Sequence, residues 1–332
     1  MNVPRLICGP LVLLCLVANT LFCQNHDELW VAAAHKKYGF INRQGKVVIP
    51  FHYDFAWNFR EGRAPVWEGS QAGFINSSGQ LTIPIRFHDA RDFHDGLAAV
   101  RIGDLWGFID KSGEFVAGPG YPDEHDFSEG LGGFLAEGKW GFLNTAGEVA
   151  IRPQYDFADN FSESSVPAYL HGKCGYVNRQ GATIVPFKFE KCGAFQDGLA
   201  AVRLDYSWGY IDSSGQFKIS PQFDEATAFS EGLAAVALRG KWGFVDRSGK
   251  VVIHPQFRST SRHPAADHFS EGKACVRQGD KWGFIDPAGK LAIPAKYARC
   301  GAFRNGLAEV CETSFQCGYI DLTGKYIWSA EP

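Results

Sequence analysis

The sequence predicts an all-β fold, a tandem array of nine three-stranded meander units of about 34 residues each. Three observations carry this. A Gly inside a strand-like run recurs at Gly39, Gly73, Gly107, Gly141, Gly175, Gly209, Gly243, Gly283 and Gly318, so the spacing is 34 residues six times running, then 40, then 35. Three residues after each of these stands Asp or Asn, and three further on another Gly, in all nine units. A β-branched run such as Lys46-Val47-Val48-Ile49 or Lys250-Val251-Val252-Ile253 follows, closed in most units by Pro. A fixed period of this length marks units that share one continuous core, which overrides the two domains that 332 residues alone would suggest.

The chain opens with Arg5 and the apolar run 11–18, then the polar Gln24-Asn25-His26-Asp27-Glu28. That is the length and flanking of a secretory signal, expected to span residues 1–23 with cleavage between Thr20 and Gln24. It is short of the ~20 apolar residues a spanning helix needs, so no membrane span is expected after cleavage. A lipid anchor at Cys23 is a minor alternative, because bulky Phe22 stands where such signals carry small residues.

Residues 29–332 form the repeat domain, cut after each acid-Gly pair into 29–62, 63–96, 97–130, 131–164, 165–198, 199–232, 233–272, 273–306 and 307–332. Each unit opens on a short strand such as Leu97-Ala98-Ala99-Val100, crosses a turn, enters the Gly-Phe-Ile run, and turns again into the β-branched strand. An open, solenoid-like array is the expected architecture and a closed propeller the alternative. No strand is seen to be shared between the two ends, and nine three-stranded blades would be an unusual ring. Trp30 at one end and Tyr326-Ile327-Trp328 at the other would then cap the core.

The second turn has the chemistry of a type I turn with a bulge: a short side chain bonds backbone N–H groups two residues on, and Gly supplies φ > 0. Asp110 with Gly113, Asp212 with Gly215, Asp246 with Gly249 and Asp286 with Gly289 are therefore read as structural. Asn42, Asn76, Asn144 and Asn178 serve at the same place and offer neither a base nor the charge of a metal ligand. Phe or Tyr follows the reference Gly in every unit, and a second Phe recurs just before each acid-Gly pair, so both belong to a core ladder. Trp106, Trp140, Trp208, Trp242 and Trp282 precede the Gly and should pack over the next unit, an aromatic ligand-stacking row being the alternative. The recurring acid, Glu61 to Glu271 and then Asn305, marks a turn or a solvated face. Ser164 and Pro167 break the pattern, so pairing should be weakest there.

Net charge is -3 with both signs interspersed, which excludes an electrostatic footprint for nucleic acid. Of nine Cys, six lie beyond the signal, compatible with three disulfides or with buried free thiols. Cys311 and Cys317, flanking a hairpin, are the pair best placed to bond. No Walker loop, His-Glu-x-x-His, nucleophile elbow or Cys-x-x-Cys occurs, so no cofactor and no metal are expected. The insertion in 233–272 is locally basic, with Arg258, Arg262, His263 and His268, and is the expected partner-contacting region.

The pattern Lys281-Trp282-Gly283-Phe284-Ile285-Asp286 with Gly289-Lys290, together with Phe-Ser-Glu-Gly and Leu-Ala-x-Val, resembles the WG-repeat family over about residues 29–332. The resemblance implies a bacterial-type exported β-repeat protein and supplies no catalytic residue set. The expected function is a monomeric, exported, non-catalytic scaffold for a protein or glycan partner. A structural spacer is the alternative, and a hydrolase with His, Glu or Asp drawn from several units is a third reading.

Overall fold

A computed structural model describes residues 28–258, 265–313 and 316–330. These form nine small antiparallel sheets, here blades 1 to 9: residues 30–53, 55–87, 89–121, 131–155, 157–189, 191–223, 225–258, 266–297 and 299–329. Blade 2 shows the plan. Phe55–Ala56 pairs with Ala64–Glu68, which pairs with Gln71–Ile75, which pairs with Leu81–Phe87. Seven sheets thus have four strands where three were expected, the extra one being a short strand hidden in the irregular connection. Each sequence unit consequently straddles two blades, since the end of 29–62 supplies the first strand of blade 2.

The local chemistry explains the strands. The repeated Gly sits where the third strand crosses the second: a Cβ on Gly73 would lie 2.7 Å from the Ile83 carbonyl oxygen, and the register slips on either side of Phe74. At the second turn Asp212 Oδ1 accepts the N–H groups of Ser214 and Gln216, and Gly215 has φ +79°. The acid-Gly pairs form two-residue turns with φ > 0 at both positions, such as Glu129 at 54° and Gly130 at 78°.

Pairing is not weakened at Pro167. Ser165–Leu170 matches Lys173–Asn178 over its whole length. The Pro167 carbonyl accepts Asp159 N–H, so the missing donor of Pro167 points the same way, past the end of the short strand, where no ladder bond is lost. Pro65 stands at the equivalent place, accepting from Trp57.

The core lies between blades rather than within them. The ring after each repeated Gly meets the Phe that leads into the next blade. Eight such pairs, Phe40–Phe59 through Phe284–Phe303, have centroids 4.7–5.0 Å apart. Each adds about 0.5–1.5 kcal/mol beyond its buried area. Trp106, Trp140 and Trp242 join apolar clusters with the following blade.

The open array expected from the sequence is overturned: blade 9 packs against blade 1, and the molecule is a closed nine-bladed β-propeller. Trp30, Ala32 and Ile41 share one buried cluster with Leu307 and Tyr319. The Tyr319 hydroxyl donates to the Val31 carbonyl (2.8 Å), and Phe51 meets Trp328 at 6.0 Å. The two ends therefore bury each other instead of capping opposite ends. The reason is surface energy, because every blade is apolar on both faces, and an open row leaves two such faces in water. Each described blade is one continuous segment, so closure rests on side chains and needs no exchanged strand.

Candidate functional site

Most repeated polar residues are occupied in holding the ring. In seven blade-to-blade steps the acid of the two-residue turn accepts a backbone N–H from the next such turn, as Glu61 does from Gly96 (3.0 Å), Asp95 from Gly130 (2.7 Å) and Glu271 from Gly306 (2.8 Å). The Asp carboxylates of the second turn are charged acceptors. Ser112 beside Asp110 and Ser248 beside Asp246 hold them below their ordinary range, and Ser214 and Lys218 do so for Asp212. Asp286 bonds the N–H groups of Ala288 and Lys290, and Gly113, Gly249 and Gly289 all have positive φ.

The positions that vary between units gather in one sector, on the loops entering blades 2 to 5. Just before the ladder Phe stand Asn58, Asp92, Asp126 and Asn160, whereas units on the far side carry Ala194, Ala228 and Ala302, with His268 as the one polar exception there. Polar pairs step from loop to loop: the ion pairs of Arg60 with Asp92 (3.9 Å) and Arg91 with Glu124 (3.3 Å), and the approach of His94 to Asp126 (4.0 Å). Arg91 is held between the rings of Trp57 (5.7 Å) and Trp106 (5.1 Å), and His125 stacks on Trp140 at 4.1 Å. Arg304, on the loop after the short strand of blade 9, lines the same recess as Arg60 and His94, so these loops converge. A recess of about 700 Å³ opens there, lined by Glu28, Arg60, Glu61, His94, Arg304 and Asn305 among others.

Glu124 is the most unusual of these residues. It occupies the place of Ala56, Ala90, Ala158 and Ala226, and its side chain is 2% exposed. Burial, reinforced by the charge of Asp126, pushes its carboxyl up to about 7. Burial raises Asp92 to about 6 against the pull of Arg60, and raises Asp126 against His94 and Arg91. Burial likewise holds His125 below its ordinary value. Asp92 Oδ1, Glu124 Oε2, Asp126 Oδ1 and His125 Nε2 are buried without a hydrogen-bond partner. The local backbone is adapted to this. Cβ atoms on Gly132 and Gly133 would lie 2.5 Å from the Phe127 ring and 3.0 Å from His125, and here the short strand is reduced to one bridge, Glu124 to Phe134. Sequence reasoning missed this group. The available signal was the joint departure of Glu124, His125, Gly132 and Gly133 from the repeat.

The expected partner loop is placed differently. Arg258 ends its strand beside a cleft shared with Gln256, Arg277 and Asp280. His268 bonds Asp267 (2.8 Å), which raises its pKa. These two have no common partner among the described residues, and Arg262 and His263 lie outside them. Among the described residues no group of three His, Cys, Asp or Glu side chains is arranged to hold a metal.

All six Cys among the described residues are bonded. Cys311–Cys317 crosses the blade 9 hairpin, Cys174–Cys192 links blades 5 and 6, and Cys275–Cys300 links blades 8 and 9. Three disulfides indicate an oxidising, extracytoplasmic environment. Among the described residues no helix is long and apolar enough to cross a membrane.

A closed ring of nine inter-bonded blades, each carrying the Gly turn motif, defines a repeat-built β-propeller. The chain belongs to the WG containing repeat family, whose model matches residues 38–67, 73–106, 106–140, 140–174, 175–206, 208–242, 242–282 and 282–313. In fold it is similar to the crystal structure of a eukaryotic initiation factor, with TM-score 0.65 and 14% identity over 92% of this chain and 96% of that one. BamB from Moraxella catarrhalis (TM-score 0.41, 11% identity, 80% and 95% covered) and Hsv2p from Kluyveromyces lactis (0.45, 10%, 68% and 89%) are more distant likenesses. Among curated proteins none matches.

Proposed function

We propose that this propeller is an exported, non-catalytic scaffold that binds a protein or glycan partner at the recess where Arg60, His94 and Arg304 meet Asp92 and Asp126. The observation that carries this reading is the gathering of non-repeating ionisable side chains into one sector, with buried carboxylate oxygens left unpartnered. A spacer has no use for such a group, because each uncompensated buried oxygen costs stability.

The same convergence of His and carboxylates is what a hydrolase assembled from several units would need. Binding is preferred because Glu124, the group best tuned as an acid, is closed off from solvent and held beside a clamped Arg91. Glycan arrays and crosslinking capture from the exported fraction, with the wild type and with Arg60→Ala/Arg304→Ala, test the proposal. Partners should be lost from the double variant while its melting temperature stays within a few degrees. Unchanged capture by the variant removes the recess as the site. Hydrolysis of nitrophenyl esters or glycosides that Glu124→Gln abolishes would favour the enzyme instead.

A further inference from the structure

The short first strand is the part of the blade plan that blade 1 lacks among the described residues. In blade 2 the Trp67 carbonyl accepts the N–H of Asp54, and in blades 3, 5, 6 and 7 the carbonyls of Arg101, Tyr169, Arg203 and Ala237 accept in the same way at 2.8–2.9 Å. The equivalent residue in blade 1, 34 positions before Trp67, is Ala33. Because Ala34 and Lys37 close the two-residue hairpin, the N–H and C=O of Ala33 point away from the neighbouring strand. Ala33 is exposed where Trp67 and Ala237 are buried. It borders a cleft of about 470 Å³ at the seam with blade 9, whose other walls include His35, Lys36, Arg299, Tyr319 and Trp328.

The filled positions show what such an edge accepts. Asp54-Phe55-Ala56, Asp156-Phe157-Ala158 and Asp224-Glu225-Ala226 share an acid, a variable residue and a small buried or half-buried one; blades 3, 6 and 9 keep the small third residue but open on His88, Glu190 and Ala298. The acid bonds the turn of the same blade: Asp54 accepts Gly69 N–H at 2.8 Å and Asp156 accepts His171 N–H at 2.6 Å. In blade 1 the equivalent donor is His35, next to Lys36.

We propose that the Ala33 edge is a β-augmentation site for an extended Asp-x-Ala segment of a partner protein, its carboxylate received by His35 N–H and its backbone by Ala33. Lys36 at the border favours the acid, whereas Arg299 is paired with Glu309 of the same cleft at 3.1 Å. A second copy of this chain is a poor donor, because its Asp-x-Ala segments are already built into its own blades. This chain's residues in phase with Phe55-Ala56 are Leu21-Phe22, which follow Thr20 instead of an acid and belong to the expected signal. This site is separate from the recess, and the two readings fail independently.

The probe is a synthetic peptide with the sequence of residues 153–161, titrated into the exported protein. Amide hydrogen exchange is followed at Ala33 and His35, and Trp328 emission reports the cleft. The expected result is saturable binding that slows exchange at both amides. Changing the peptide residue that corresponds to Asp156 to Asn should weaken binding about tenfold, because a charge-assisted bond is lost. No binding at millimolar peptide, or binding that leaves both amides unprotected, overturns the proposal. So does protection already present without peptide: independent of protein concentration it means that the chain fills its own edge, and rising with concentration it means that a second copy does.

Discussion

The side-chain amide of Asn305 donates to the Glu28 carboxylate across the seam between blades 9 and 1, joining residues 277 positions apart. In the seven other steps of that belt an acid occupies the place of Asn305 and receives a backbone N–H. At the seam the partner is itself a carboxylate, and Arg304 adds a second contact to it at 3.4 Å. Asn at this one place thus avoids setting two carboxylates against each other at the seam.

Asn305→Asp should accordingly weaken the seam by setting two carboxylates against each other. Both groups are partly exposed, so the expected loss is only about 1 kcal/mol and is relieved by salt. Melting temperatures at 20 mM and 500 mM NaCl (about 20 Å and 4 Å Debye lengths) check this. A loss that salt does not reduce would point to steric rather than electrostatic damage.

Gly215→Val should cost about 1–3 kcal/mol, since a β-branched residue is forced to positive φ. Its Cβ would also press on Val185 of the preceding blade at 3.1 Å. Asp212→Asn should be nearly silent, because Asn fills this role in four other turns. Urea midpoints of the two variants decide the matter, and a neutral Gly215→Val would sink the turn assignment.

Glu124 links stability to pH. Its carboxyl is raised from an ordinary 4.5 to about 7 in the folded protein, so the folded state holds its proton more tightly than the unfolded chain does. The associated stability is fully present below about pH 4.5 and is lost as pH rises to about 7, a change on the order of 3 kcal/mol. Asp92, raised to about 6, acts in the same direction. Denaturant midpoints at pH 4.5, 6 and 8 should therefore fall in the wild type and fall less in Glu124→Gln. Equal slopes for the two proteins would exclude Glu124 as the linked group.

Removing Cys174–Cys192 by paired Ala substitutions should lower stability by about 3 kcal/mol, and removing Cys311–Cys317 by about 2 kcal/mol, on the loop-closure argument. Those bonds close segments of 18 and 6 residues. Thermal unfolding of the two paired variants under oxidising conditions gives the order, and a reversed order would show that strain or contacts outweigh chain entropy.

What the sequence by itself determined is the chemistry that acts within a few residues. Asp212 reaches the N–H groups of Ser214 and Gln216, Gly215 takes positive φ, and Cys311 faces Cys317 across one hairpin. Such contacts have a short, fixed spacing, and the turn chemistry leaves the same mark in every unit. Only the tertiary structure decided the rest. Whether nine blades close depends on the small rotation between neighbours summed around the ring, and although Tyr319 holds the ring position found in every unit, nothing in its spacing says that its hydroxyl reaches Val31, 288 positions away. The pairing of Cys174 with Cys192 and of Cys275 with Cys300 likewise depends on which blades adjoin. The charged group escaped notice for the same reason. Arg91 and Glu124 look like isolated departures from a repeat until the ring places one loop against the next, and only there does burial turn a substituted Ala position into a carboxyl that titrates near neutrality.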